Sequence, residues 1–220
     1  MTHLEEELKA LKQEVSKMFA LVHSQIERSF NALQHFDKDL AHQIISTEKR
    51  VNAQELKIDL DCENYFALYN PVAVDLRYVL AVLKINSNLE RIGDIAESIA
   101  RFIIESDNAF SKELIEYTRT NKMFDVSLKM LDDVEDSFNA EDTSLARTIF
   151  KQDAVLDEIN FNSNKLIAEY LKKDISSVDQ ALHILSIIRK LERVGDQAKN
   201  IAEEIIFYIE AKVVKHSRKL

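Results

Sequence analysis

The 220-residue sequence has almost none of the residues that turn a chain: two glycines and one proline, where roughly 7% and 5% are ordinary. Sheets linked by hairpins need Gly, Pro and Asn-Gly punctuation, so turn-rich folds are excluded and long helices with few connections remain. A single cysteine, Cys62, allows no intrachain disulfide and fits a reducing compartment. Basic charge is short as well. With 29 Lys+Arg against 38 Asp+Glu the net charge is -9, which argues against nucleic acid as a partner, because phosphate contacts need a dense basic face. No stretch approaches the roughly 20 apolar residues of a membrane span. The start, Met1 to Glu7, lacks the basic region and apolar core of a signal peptide. The expectation is a soluble cytoplasmic protein.

What is present is helical periodicity. Six long helical stretches are expected, near 3–36, 38–69, 71–106, 110–139, 142–173 and 176–215, with Asn70-Pro71 starting the third and Ser176-Ser177 capping the last. Leu89-Glu90-Arg91-Ile92-Gly93-Asp94-Ile95-Ala96-Glu97-Ser98-Ile99-Ala100 matches the twelve residues from Leu191 to Ala202 at eight positions, at an offset of 102. An offset of 105 aligns Met18-Phe19 with Met123-Phe124, Leu40-Ala41 with Leu145-Ala146, and Ile44 with Ile149. Such a repeat predicts an all-α protein of two tandem homologous three-helix bundles, residues 1–107 and 108–220. Both glycines, Gly93 and Gly195, stand inside helical patterns, where each costs about 1 kcal/mol relative to alanine. A close helix crossing is the structural reason to keep them, and Gly→Ala at both is expected to gain helix propensity.

Charge replaces core-type residues along one line of each bundle. Glu90, Asp94, Glu97 and Arg101 continue the face of Leu76, Val79 and Leu83, and Glu192, Asp196, Lys199 and Glu203 continue that of Ala181, Leu185 and Ile188. The preceding helices carry Glu48, Asn52, Glu55 and Asp59, and Asp153, Asp157, Asn160 and Asn164, at the same 4-3-4 spacing. At about 1.5 Å per residue, antiparallel helices counted from their connections bring Glu48, Asn52, Glu90 and Asp94 to one height, and Asp153, Asp157, Glu192 and Asp196 to another. Carboxylates at i and i+4 repel, so the lines ask for a counter-cation. An all-oxygen set suits a hard cation such as Mg, Mn or Ca; a solvated acidic face balanced by Lys and Arg is the alternative. No Glu-x-x-His occurs and no histidine falls on the lines, which does not fit carboxylate di-iron or typical catalytic zinc sites.

Glu48-Lys49-Arg50-Val51-Asn52, Asn70-Pro71-Val72-Ala73-Val74-Asp75-Leu76-Arg77, and Leu83-Lys84-Ile85 leading into Leu89-Glu90-Arg91-Ile92-Gly93-Asp94 resemble the signature of PhoU proteins, accessory regulators of phosphate-specific transport. The copy Glu192-Arg193-Val194-Gly195-Asp196 falls where that family repeats its motif. The resemblance runs end to end. It implies two three-helix bundles related by a pseudo-twofold, often as a homodimer, acting as a cytoplasmic adaptor between the Pst phosphate ABC transporter, with its PstB ATPase, and the PhoR sensor histidine kinase. On that reading the protein is a negative regulator of the phosphate-starvation response and of phosphate uptake. Iron or zinc on E/DxxxD motifs is implied at Glu90, Asp94, Glu192, Asp196, Asp153 and Asp157, with Glu48, Asn52, Glu55 and Asp59 as first-bundle partners.

The sequence departs from twofold equality. Asn160 and Asn164 replace the acids Glu55 and Asp59, and Lys199 replaces Glu97, so unequal sites are expected, the first binding more cationic charge. His23, His35, His42 and His183 are read as packing or surface residues, and Cys62 as a small core residue. The basic tail of Lys212, Lys215, Arg218 and Lys219 is read as a solvated helix end, or at most a peripheral contact with an anionic membrane. There is no GxxxxGK[ST] and no GxGxxG. An adaptor needs neither, and a non-enzyme is expected; the alternative is a metal-dependent hydrolase using carboxylate-bound ions to activate water.

Overall fold

The computed structural model describes residues 3–69 and 71–214. The expected all-α architecture is present, with one revision to the helix count. α1 (His3–His35), α2 (Lys38–Tyr69) and α3 (Ala73–Glu105) form the first repeat; α4 (Lys112–Tyr117), α5 (Thr120–Ala140), α6 (Thr143–Lys173) and α7 (Val178–Glu210) form the second. No strand occurs among the described residues. The fourth stretch is therefore two helices. Thr118 Oγ1 donates to Leu114 O at 2.7 Å and lies 2.8 Å from Thr120 Oγ1, while Arg119 takes a left-handed φ of 59°. Hydroxyls that bond nearby carbonyls compete with the helix ladder, and here the ladder breaks without glycine or proline.

The caps also differ from expectation. α3 begins after Pro71, on Val72, with no side-chain cap; Asn70, the expected cap, lies outside the described residues. Ser177 holds the N-cap position of α7 as expected, but its side chain makes no capping bond; Asp174 caps the short 3-10 turn at Ile175–Ser177 before it, accepting from Ser176 N at 3.1 Å. α7 ends at Glu210, with Ala211 left-handed, well short of residue 215. Lys215, Arg218 and Lys219 lie outside the described residues, and Lys212 pairs with Glu210 at 3.2 Å.

One turn occurs twice at the repeat offset. Phe36 and Glu141 are left-handed, Asp37 N and Asp142 N reach back to Ala32 O and Ser137 O, and the Asp37 and Asp142 carboxylates accept from the first amides of α2 and α6. Each is a helix stop followed at once by an N-cap.

α2 packs on α1 and α3, α6 packs on α5 and α7, and the repeats meet through α3 against α7 and α1 against α5. α3 and α7 run antiparallel: Lys84 Nζ meets Glu204 Oε2 at 3.1 Å, Asn88 meets Asn200 at 3.3 Å, and Ser98 meets Lys190 at 3.1 Å. Asn88·Asn200 and Ser98·Lys190 exchange into one another at the offset of 102, so a pseudo-twofold passes through this pair. In that register Gly93 stands level with Gly195. The buried apolar residues of both repeats form one continuous core. Across α1 and α5 it includes the stacked rings of Phe30 and Phe124, 4.6 Å between centroids.

Candidate metal centre

At Gly93 α3 leaves no room for a side chain against α2. A Cβ there would lie 2.9 Å from Val51 Cγ1 and 3.1 Å from Glu48 Oε2; at Gly195 it would lie 2.6 Å from Leu156 Cδ1 and 3.0 Å from Asp153 Oδ1. Each glycine thus seats the first carboxylate of the neighbouring helix's acidic line. Glu48 and Asp153, equivalent at the offset of 105, are both only 5% exposed.

The two seats are completed differently. Both oxygens of Glu48 are buried without a hydrogen-bond partner. Burial, followed by the negative charge of Asp94, Glu97, Glu90 and Glu55, raises its carboxyl to about 7. Glu90 is likewise raised by burial and by Asp94 and Glu55, and Glu55 by burial, Asp59 and Asp94. These acids therefore share a field, which includes Glu55 although its counted level falls nearer the end of α2. Asp94 and Asn52 are exposed at its edge. Asp59, nearer the end of α2, accepts a 2.9 Å bond from Asn86 Nδ2, which also bonds Glu55 O at 2.9 Å. Arg101, the nearby cation on the α3 line, pairs with Glu97 one turn along rather than with Glu48.

In the second repeat Lys199 bridges the seat. Its Nζ lies 2.5 Å from Asp153 Oδ2 and 3.0 Å from Asp196 Oδ1, and these two carboxylates hold the ammonium's pKa above its ordinary value against the effect of burial. Glu192 is half-buried and raised by burial and by Asp196, Asp157 and Asp153; Asp157 is exposed. The main-chain carbonyl of Asn160 accepts from Ser163 Oγ at 2.6 Å, while the side chain of exposed Asn164 accepts from Arg189 at 3.3 Å.

Among the described residues no group of three His, Cys, Asp or Glu side chains is placed to hold a metal ion by itself. The donor chemistry nevertheless fits a hard cation at the first seat, because a desolvated carboxylate without partners is costly and a bound cation removes that cost. It fits the second seat less well, because an ammonium already sits between the two equivalent acids.

Asn86 escaped the sequence reading. Its signal is an amide directly after the largely apolar run from Val79 to Ile85, at the position where the second repeat has buried Ile188. The histidines serve in packing and on the surface, as expected: His183 packs on the rings of Phe102 and Phe110, His23 meets Asp132 at 3.2 Å, and His42 is exposed. Cys62 is buried, with burial as the main cause of a thiol pushed up to about 12.

Two homologous helical units, joined through α3 and α7 and each seating an acidic side chain beside a helical glycine, define a tandem helical-bundle protein with twin carboxylate seats. Residues 15–103 and 120–205 match the PhoU domain, and the chain belongs to the PhoU family. It is 34% identical over 211 residues to the phosphate-specific transport system accessory protein PhoU homolog of Aquifex aeolicus, covering 96% of this chain and 94% of that protein. With PhoU homolog 1 of Thermotoga maritima it shares 32% identity over 214 residues, covering 97% and 91%. The crystal structure of PhoU from Pseudomonas aeruginosa has a TM-score of 0.90 at 29% identity, covering 96% of this chain and 100% of that one.

Proposed function

We propose that this protein regulates phosphate transport as a PhoU-type adaptor. It couples the state of a Pst phosphate transporter, through its PstB ATPase, to a PhoR sensor kinase, and so represses the phosphate-starvation response and phosphate uptake when phosphate is plentiful. The observation that carries this reading is the match of both repeats, over nearly the whole chain, to proteins named as phosphate-specific transport system accessory proteins. An adaptor acts by presenting surfaces. No described helix is long and apolar enough to cross a membrane, which is compatible with a peripheral contact with the transporter. We further propose that the acids of the first repeat, Glu48, Glu55, Asp59, Glu90 and Asp94 with Asn52, hold a metal ion. Such an ion neutralises the shared negative field and fixes α2 against α3; its identity, iron, zinc or a harder divalent cation, follows from elemental analysis of protein purified without an affinity tag.

The test is genetic. A strain lacking this protein is expected to express its phosphate-starvation genes in high phosphate, with repression restored by the intact chain. Normal repression in the deletion strain would overturn the assignment.

A further inference from the structure

We infer that Lys199 is a built-in cation that closes the second repeat to metal, so that this chain takes up metal at the first seat alone. The inference rests on the cation-site reading of the first repeat. Three observations carry it. Glu48 and Asp153 occupy equivalent places, each beside the glycine of its neighbouring helix and each 5% exposed. At Asp153 one oxygen is taken by the Lys199 ammonium at 2.5 Å, and the same ammonium reaches Asp196 at 3.0 Å, bridging the α6 acid to the α7 acid. At Glu48 both oxygens are buried with no hydrogen-bond donor, and the residue equivalent to Lys199 is Glu97, itself an acid.

The ammonium meets both needs that a cation meets at the first seat. It neutralises the buried carboxylate and ties the two helices together. A divalent ion entering between Asp153 and Asp196 must displace this side chain or stand beside a like charge in a half-buried site, and either event opposes binding. The asymmetry is one of charge: the second repeat carries its counter-cation permanently, while the first is neutralised only when an ion is supplied.

The experiment uses full-length, tag-free protein stripped with chelator, exposed to Zn²⁺ and separately to Mn²⁺, desalted and measured for bound metal, with helicity followed by circular dichroism. In the wild-type background Glu48→Gln is expected to lower bound metal at least about tenfold, while Asp153→Asn leaves it unchanged. Lys199→Glu, which installs the residue of the first repeat, is expected to raise bound metal, and adding Asp153→Asn removes that gain. Equal losses from Glu48→Gln and Asp153→Asn would show that both seats bind, overturning the inference while sparing the cation reading. No bound metal in any variant, Lys199→Glu included, would overturn both. A second measurement needs no metal: in stripped protein Lys199→Met is expected to lower the melting temperature and Glu48→Gln to raise it. An unchanged melting temperature in Lys199→Met would refute the role of Lys199 as internal cation.

Discussion

Gly93 and Gly195 each leave out the one side chain that would collide with a neighbouring helix, yet the two collisions differ in kind. At Gly195 the nearest atom is a terminal methyl of Leu156, which can turn aside; at Gly93 it is a methyl of Val51, whose β-branch fixes χ1. The propensity gain of about 1 kcal/mol expected from Gly→Ala therefore competes with overpacking, which costs about 1–3 kcal/mol. Crowding wins at Gly93. Gly93→Ala is expected to lower stability by about 1 kcal/mol in urea unfolding, and Gly195→Ala by less; a gain in stability at Gly93 would contradict the crossing described here. The glycines' packing role was legible in the sequence, because Gly inside an apolar helical pattern has few other uses. That the crossing also seats Glu48 and Asp153 was legible only in part: counting from the connections matched their heights with Glu90 and Glu192 but could not show burial. Lys199 was legible as a change of sign, while its bridge to Asp153 required the facing helix in place. The size of that effect follows from Coulomb's law, since a divalent ion about 4 Å from an ammonium at an effective dielectric of 20 meets a repulsion of about 8 kcal/mol.

At the scale of elements, α1 is clamped to α2 by a carboxylate of the opposite electrostatic kind to Glu48. Glu14 accepts from Lys57 at 2.7 Å and Lys17 at 2.8 Å, and from Gln54 at 2.9 Å. Burial alone would raise its carboxyl, but the two ammonium groups and the amide override this and hold it at about 2. A depressed folded-state pKa gives stability that is fully present above the ordinary value of 4.5 and is lost as pH falls toward 2. On the order of 2–3 kcal/mol is involved. Glu14→Gln should thus lower stability near neutral pH and flatten the loss of stability between pH 4.5 and 2; thermal unfolding across that range measures both. Helix ends were the least legible elements. The repeated Phe36-Asp37 and Glu141-Asp142 turns do contain their capping acids, but the left-handed residues before them are a phenylalanine and a glutamate, for which sequence gives no cue. The same holds at Arg119, where the break rests on Thr118 bonding backward and on Arg119 reaching Glu158 at 3.1 Å. Glycine-free left-handed ends are individually unfavourable. At Phe36, Arg119 and Glu141 they persist because the following helix starts within two residues.

At the scale of the molecule, one core spans both repeats, and the α3–α7 pair stands at its centre. The repeats are therefore expected to unfold together. Lys84→Met takes away the ammonium held by Glu204, which is 3% exposed, and is expected to cost about 2 kcal/mol while leaving one transition in urea. Two separated transitions would show that the repeats are energetically independent. The contacts Asn88·Asn200 and Ser98·Lys190 are symmetric partners, but Lys84·Glu204 is not, since the equivalents of Lys84 and Glu204 are Ser186 and Phe102. Homologous helices invite mistaken partners: α3 of one molecule could lie along α3 of another in the register it uses with α7. In that arrangement Lys84 would face a phenylalanine, and a pair of α7 helices would set Glu204 against a serine. A single asymmetric ion pair, off the centre of a nearly symmetric interface, thus distinguishes unlike helices from like ones. It favours the union of unlike halves within one chain over the union of like halves between chains.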